Sequence, residues 1–360
     1  MDPTDVLAAV THPDPYPYYA RLRERGAIFH DQGLGCWVVP GAAEVRAALA
    51  NPALHARPAA ERVPCPIQGT PAGEVFGALV RMNDGAARDE AKRAIERALG
   101  AVEAGQVRGV ARQLAAALGE IHGIAHAAGL AAWAHAVPVH CLAGVMSIDA
   151  DDDLCEDVRR FVAGFSPSID AAQAGEAGRA AAALRARVAA QLDMHDSDVM
   201  KIASEGPWSG RDALEVNLVG FFSQAYDATA GLIGNATVAL VRNPERHAAL
   251  RAAPDLVKPF VREVGESDPP VQNTRRFVAS ETALAGTRLR PGEMLLLLLP
   301  GFGSGPHACP GRSIAEAIAA GCLEHLLTLG PAALPQGLAW TYKPSHNVRV
   351  PMFRTMETAA

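Results

Sequence analysis

Cys309 lies in the stretch LLLLLPGFGSGPHACPGRSIAEA, Leu295 to Ala317. An apolar run leads into a glycine-rich loop with one histidine, and helical spacing follows the cysteine. A cysteine just before a helix has its thiolate stabilised by the positive helix end and by free backbone N–H groups. A loop of small residues lets those groups come close to the sulfur. Such a sulfur suits a metal, and a thiolate axial ligand pushes electron density onto a haem iron. The residues alone leave two other readings open. One is an inert, buried cysteine in a turn. The other is a dinucleotide-binding turn, because Gly303, Gly305 and Ala308 fit G-x-G-x-x-A between an apolar run and a helix. That reading needs a parallel strand after the helix starting near Arg312 and a strand–helix alternation along the chain, and neither is visible. Pro306 would also stiffen a turn that must wrap a pyrophosphate.

Other constellations carry less. His122 and His126 are four apart and could share a helix face, but no third ligand is suitably spaced. The acidic run Asp149 to Asp153 lacks the glycine and terminal glutamate of a calcium loop and reads as a solvated loop. No G-x-S-x-G nucleophile elbow occurs.

The elements that must position Cys309 are mostly helical. Alanine- and leucine-rich stretches with helical spacing recur through the 360 residues. The longest and most apolar, Ala213 to Arg242, is expected to be a buried central helix. Strand-like pieces are short: AIFHDQGLGCWVVPG near the start, TRRFVASETALAGTRLRPGEMLLLLLP before the loop, and LAWTYKPSHNVRVPMF near the end. Within the middle piece RPGE is a turn signal. The fold class expected is mainly α with minor β, one domain over residues 1–360.

Composition agrees with a folded chain. Apolar residues make up 49% and charged residues 20%, and the formal net charge is −6. An acidic balance argues against nucleic acid as a partner. Apolar runs fall short of the ~20 residues of a spanning helix, and the first residues lack a signal-peptide pattern, so a cytoplasmic protein without a membrane partner is expected. The six cysteines form no C-x-x-C pair and are expected to be reduced, most of them as small core residues.

The stretch FGSGPHACPGRSIA resembles the haem-binding signature of the cytochrome P450 family, FGxGxHxCxGxxxA, with matches at Phe302, Gly303, Gly305, His307, Cys309, Gly311 and Ala315. The likeness runs along the chain. DPYPYYARLRERG and GLGCWVVPG resemble the family's entry helix and first sheet, RMNDGAARDEAKRA its C helix, and FFSQAYDATAGLIGN its central I helix. DPPVQNTRRFVASETALAG resembles the segment after its K helix, and YKPSHNVRVPMF its closing hairpin. The resemblance implies the cytochrome P450 fold and haem b, with Cys309 as the metal ligand. It places Phe302, Gly303 and Gly311 in the haem loop. His307 and Arg276 fall where the family contacts the haem propionates, and Arg88 and Lys92 replace its C-helix histidine and basic residue.

Three departures stand out. The K-helix Glu-x-x-Arg becomes Glu263 and Glu266, two carboxylates that repel at this spacing. The meander region before the haem loop is deleted, since Gly301 begins the loop directly after Pro300. In the I helix Asp227 takes the acidic position, Ala228 stands where a threonine usually follows, and Thr229 comes one residue later, about 100° round the helix.

The resemblance implies a soluble haem-thiolate monooxygenase of a kind used in secondary metabolism. It would take electrons from a ferredoxin- or flavodoxin-type donor and place one oxygen atom of dioxygen in a small organic substrate. Asp227 and Thr229 are the expected catalytic residues, and Phe222, Tyr226, Val271, Asn273 and Thr274 the expected substrate pocket. A protein partner covering the shortened proximal face is a further expectation. The departures keep a rival open: a P450-like haem protein that inserts no oxygen and instead uses peroxide, rearranges or binds a ligand, or serves as a partner protein.

Overall fold

The computed structural model describes residues 2–58, 60–166, 168–330 and 334–355. Helices dominate it, as the alanine- and leucine-rich spacing requires. Along the first half run α1 (Tyr16–Arg25), α2 (Ala42–Ala50), α3 (Pro71–Ala78), α4 (Ala86–Gly100), α5 (Ala104–His122) and α6 (Ala127–Val145). Along the second run α7 (Asp152–Ala163), α8 (Ala171–Met194), α9 (Asp198–Ser204), α10 (Arg211–Arg242), α11 (Pro244–Ala252), α12 (Val257–Ser267) and α13 (Arg312–Leu329).

The strands are β1 (Phe29–Asp31), β2 (Cys36–Val39), β3 (Leu54–His55), β4 (Asn273–Val278), β5 (Thr282–Leu284), β6 (Thr287–Leu289), β7 (Met294–Leu298), β8 (Leu338–Tyr342) and β9 (Pro351–Thr355). Five of them form one sheet in the order β1-β2-β7-β4-β3. β2 and β7 run parallel, pairing Val38 with Leu296, and the other pairs are antiparallel. β7 is thus a central strand, which explains its unbroken leucines: Leu295, Leu296 and Leu297 are buried on both faces. β5–β6 and β8–β9 are separate hairpins.

α10 spans 32 residues, roughly 48 Å at 1.5 Å per residue. It is apolar nearly all round because it is surrounded by α3, α6, α7, α8, α12 and α13. α13 packs along α5, where Gly321 brings the helices together: a Cβ there would stand 2.5 Å from the Arg108 carbonyl.

Several sequence expectations change. Within VRGVARQLAAALGEIHGIAHAAG, Gly123 adopts φ +69° and ends α5. His122 therefore closes α5 while His126 caps α6, so the two do not share a helix face, and no metal-holding cluster exists among the described residues. The acidic run is not all loop. Asp151 caps α7 by accepting the Leu154 N–H at 2.7 Å, and Asp152 and Asp153 fill the first turn, where the helix dipole favours them. PERHAALRAAPDLVKPFVREVG divides into α11 and α12 at Pro254. Helix α6 is long and apolar enough to cross a membrane, the one such helix among the described residues, and 61% of that stretch is buried inside the protein.

All six cysteines are free, and Cys36, Cys141 and Cys322 are core residues. Arg349, 1% exposed, pins the C-terminal hairpin to the N-terminal segment. It donates to the carbonyls of Val10 (3.0 Å) and His12 (2.6 Å) and to Asp268 (2.8 Å).

Candidate cofactor site

A cavity of about 360 Å³ separates α10 from the loop carrying Cys309. On the loop side the chain leaves β7 and turns through three left-handed glycines, Gly301 (φ +77°), Gly303 (φ +73°) and Gly305 (φ +57°). At two of them space as well as φ demands glycine. A Cβ on Gly301 would approach the Gly265 carbonyl to 3.0 Å, and one on Gly303 the His307 carbonyl to 2.7 Å. A short 3₁₀ turn at Gly305–His307 follows, and the Cys309 N–H closes the loop onto the Phe302 carbonyl at 2.9 Å. Gly311 then caps α13.

Cys309 faces the cavity. Burial pushes its thiol up, while the Gly311 N–H, Lys92 and Arg312 pull the other way. The opposing set is the kind that favours a thiolate once a metal cation replaces the thiol proton.

Arg88, Lys92, Arg276 and His307 share one edge of the cavity. Arg88 meets Asp89 at 2.8 Å and the His307 ring at 3.1 Å. Lys92 donates to the Pro306 carbonyl at 2.6 Å and lies 3.2 Å from Glu96. Arg276 donates to the Arg275 carbonyl at 2.7 Å and to Thr274 Oγ1 at 3.3 Å. The Nε atoms of Arg88 and Arg276 are buried without a partner among the described residues. Burial, then Arg276, Arg88 and Lys92, push the His307 imidazole down to about 3, so it is neutral at pH 7. Burial and Arg88 push Arg276 down to about 10. A buried edge with this excess of positive charge and two orphaned donors lacks anions. Two carboxylates of a flat cofactor would supply them, so these residues fit haem.

The opposite wall is α10. Phe221, Gln224, Ala225, Ala228, Thr229 and Leu232 line the cavity at helical spacing. Val271 and Thr274 join them from the segment leading into β4. Four expected residues do not line it. Asp227 points away, where Lys343 Nζ donates to both its oxygens at 2.9 and 2.8 Å and His135 Nε2 lies 3.4 Å off. Burial acts to raise the Asp227 carboxyl, but His135 and Lys343 win and hold it below its ordinary value. Tyr226 stacks on His135 with ring centroids 4.7 Å apart. Phe222 is sunk in the helical core at 1% exposure, and Asn273 donates to the His346 carbonyl at 2.7 Å. The reason is rotational: each residue along α10 turns about 100°, so a stripe through Ala225, Ala228 and Thr229 leaves 226 and 227 facing elsewhere. Thr229 keeps a hydroxyl with no protein partner among the described residues.

The Glu263–Glu266 pair does not stand as two uncompensated carboxylates. Each has its own arginine. Arg246 on α11 donates to Glu263 at 3.0 Å, and Arg312 at the start of α13 donates to Glu266 at 3.0 Å. Arg312 also binds the buried Glu316 at 2.7 Å and lies 4.9 Å over the Phe302 ring. Gly265 lets that ring pack close, since a Cβ there would meet it at 3.1 Å. The shortened connection after β7 is thus docked on α12 by Gly301, Phe302 and Arg312.

Arg81, Asn217 and Gln224 also line the cavity, and none stood out in the sequence. The available signal was thin: Arg81 is a charge inside the apolar stretch ALVRM.

No family model matches the chain. It is 28% identical over 149 residues to the biotin biosynthesis cytochrome P450 of Bacillus subtilis (strain 168), covering 34% of this chain and 38% of that protein. It is 30% identical over 302 residues to protein DesVIII of Streptomyces venezuelae, covering 81% of this chain and 66% of that protein. In structure it superposes on P450BioI, solved in complex with hexadec-9Z-enoic acid ligated acyl carrier protein, with a TM-score of 0.78 at 19% identity over 94% of this chain and 97% of that one. CalO2 gives 0.79 at 20% identity over 99% and 98%.

The chain belongs to the cytochrome P450 family. Its architecture is the P450 fold, mainly helical with a small sheet. The aligned stretches span 38% and 66% of the two relatives' own lengths, so family membership does not by itself carry their activities over.

Proposed function

We propose that this P450 is a haem-thiolate oxidoreductase that oxidises a small organic substrate, and that Cys309 would hold the iron of haem b. The observation that carries the reading is the opposition across one cavity. Cys309 stands on a glycine-built loop, the cationic edge of Arg88, Lys92 and Arg276 lies beside it, and the apolar stripe of α10 faces it. When bound there, haem supplies the redox and dioxygen chemistry. The chain's own residues do the rest. Gly311 N–H and the first turn of α13 favour charge on the sulfur. Arg88, Lys92 and Arg276 neutralise the cofactor's carboxylates. Phe221, Ala225, Val271 and Leu232 exclude water from the substrate side. Thr229 presents the hydroxyl that can hold a water or pass a proton there. Electrons would come from a ferredoxin- or flavodoxin-type donor.

Asp227 and Ala228 favour a second reading. With the carboxylate locked to Lys343 and a methyl group facing the cavity, the wall lacks the family's acid–alcohol pair. A haem protein that uses peroxide or inserts no oxygen fits that wall. The experiment is haem titration followed by gel filtration. The proposal expects one haem per chain, retained through dilution, with substrate oxidation dependent on added reductant. Failure to retain haem would sink it. Retention with turnover on peroxide alone would select the second reading.

A further inference from the structure

No aspartate or glutamate lines the cavity among the described residues, yet it holds a fourth strong cation, Arg81. Arg88, Lys92 and Arg276 all have protein partners, whereas Arg81 has no hydrogen bond and no ion pair among the described residues. Its backbone is nonetheless fixed. It sits in the 3₁₀ turn Val80–Met82, where the Val80 N–H donates to Asn217 Oδ1 of α10 at 2.8 Å. Asn83 Nδ2 clamps the preceding chain by donating to the carbonyls of Gly77 and Leu79, each at 2.8 Å.

Arg81 is exposed where it lines the cavity, and no charged neighbour among the described residues acts on its guanidinium. His307 and Arg276, in contrast, each feel Arg88. Arg81 therefore stands apart from the cationic edge assigned to the cofactor, whose three cations already suffice for two carboxylates. Val80, Met82 and Phe221 make the nearby wall apolar. The Arg81 side chain is exposed where it lines the cavity rather than packed against protein, so its guanidinium is open to a ligand anion beside that apolar wall.

We propose that Arg81 is an anion subsite beside the N-terminal half of α10, and that it binds the carboxylate of a small, otherwise apolar organic acid. The inference rests on the haem-thiolate reading, because the acid would be the substrate of that site. One guanidinium matches one carboxylate in a two-pronged pair. A dianionic phosphate would keep an uncompensated charge against an apolar wall.

The test uses the haem-loaded protein and its Arg81→Gln variant. Hexanoate, octanoate, decanoate and dodecanoate are titrated beside their primary alcohols, by calorimetry and by the Soret shift. At least one acid should bind the wild type about tenfold or more tightly than its alcohol, as a charge-assisted bond would give. Arg81→Gln should erase that preference while leaving alcohol binding and the carbonyl spectrum unchanged. Equal binding of acid and alcohol, no acid binding, or a preference that survives in Arg81→Gln overturns the subsite. Haem loss in Arg81→Gln also overturns it, by making Arg81 a cofactor contact. If the wild type takes up no haem the proposed function fails instead, and calorimetry on the haem-free protein still decides whether Arg81 selects acids.

Discussion

The wall that carries Cys309 and the wall made by α10 have both lost a residue pair that the family resemblance leads one to expect. On the Cys309 side a carboxylate, Glu266, replaces the arginine, and the cation has moved to Arg312 at the head of α13. That arginine reaches α12, the Phe302 ring and buried Glu316 together. On the α10 side the acid is kept as Asp227 but is turned out of the cavity onto Lys343, and among the described residues no other carboxylate replaces it on that wall, which keeps the Thr229 hydroxyl and the amides of Asn217 and Gln224. The difference separates two tasks. Holding a loop in place needs a charge pair of either polarity, so its members can exchange positions. Moving a proton needs a group at one particular place, and a neighbour rotated by 100° does not serve.

If that contrast is right, damage to the first wall should be structural and damage to the second functional. Arg312→Ala should have the largest effect. Among the described residues it leaves Glu316, 5% exposed in its side chain, with only Arg262 at 3.8 Å. A loss of about 2 kcal/mol in stability is expected, together with faster haem release, read by denaturant unfolding and gel filtration. Full stability and full haem retention would show that Arg312 does not hold the loop.

A smaller effect concerns pH in the haem-free protein. The folded His307 is pushed from 6.5 down to about 3, so below pH ~6.5 the unfolded chain binds a proton that the folded one refuses. Stability should fall as pH drops from about 6.5 towards 3, and His307→Gln should flatten part of that slope. An identical slope in both proteins would remove His307 from the account. Ala228→Thr should change least in stability, under about 1 kcal/mol as a surface-type change on the cavity wall. Its effect should appear in coupling of reductant to product, which should rise if oxygen insertion is the activity. Unchanged coupling would favour the peroxide-using or non-oxygenating reading.

The Cys309 loop was legible in the sequence because its geometry is local. Left-handed glycines, a cysteine and a helix start are written in adjacent residues. Strand β7 and the buried α10 were legible through their unbroken apolar composition. The substrate wall was not. Placing Tyr226 and Asp227 in it required the rotation of α10, which its all-round burial hides, since no polar face marks which side meets the cavity. Asn273 was misplaced because its partner, the His346 carbonyl, is 73 residues away. Arg312 as the substitute cation was equally hidden, because its link to Glu266 crosses 46 residues. Arg81 gave no signal at all beyond its charge.

The central claim is that Cys309 binds haem iron as a thiolate. The direct measurement is the absorption spectrum of the haem-loaded protein, reduced under carbon monoxide, beside that of Cys309→Ser. The account predicts the strongly red-shifted Soret band of a thiolate-ligated carbonyl complex in the wild type and its loss in the variant. A carbonyl band at the position of a neutral ligand in the wild type, or the same red-shifted band in both proteins, would contradict it.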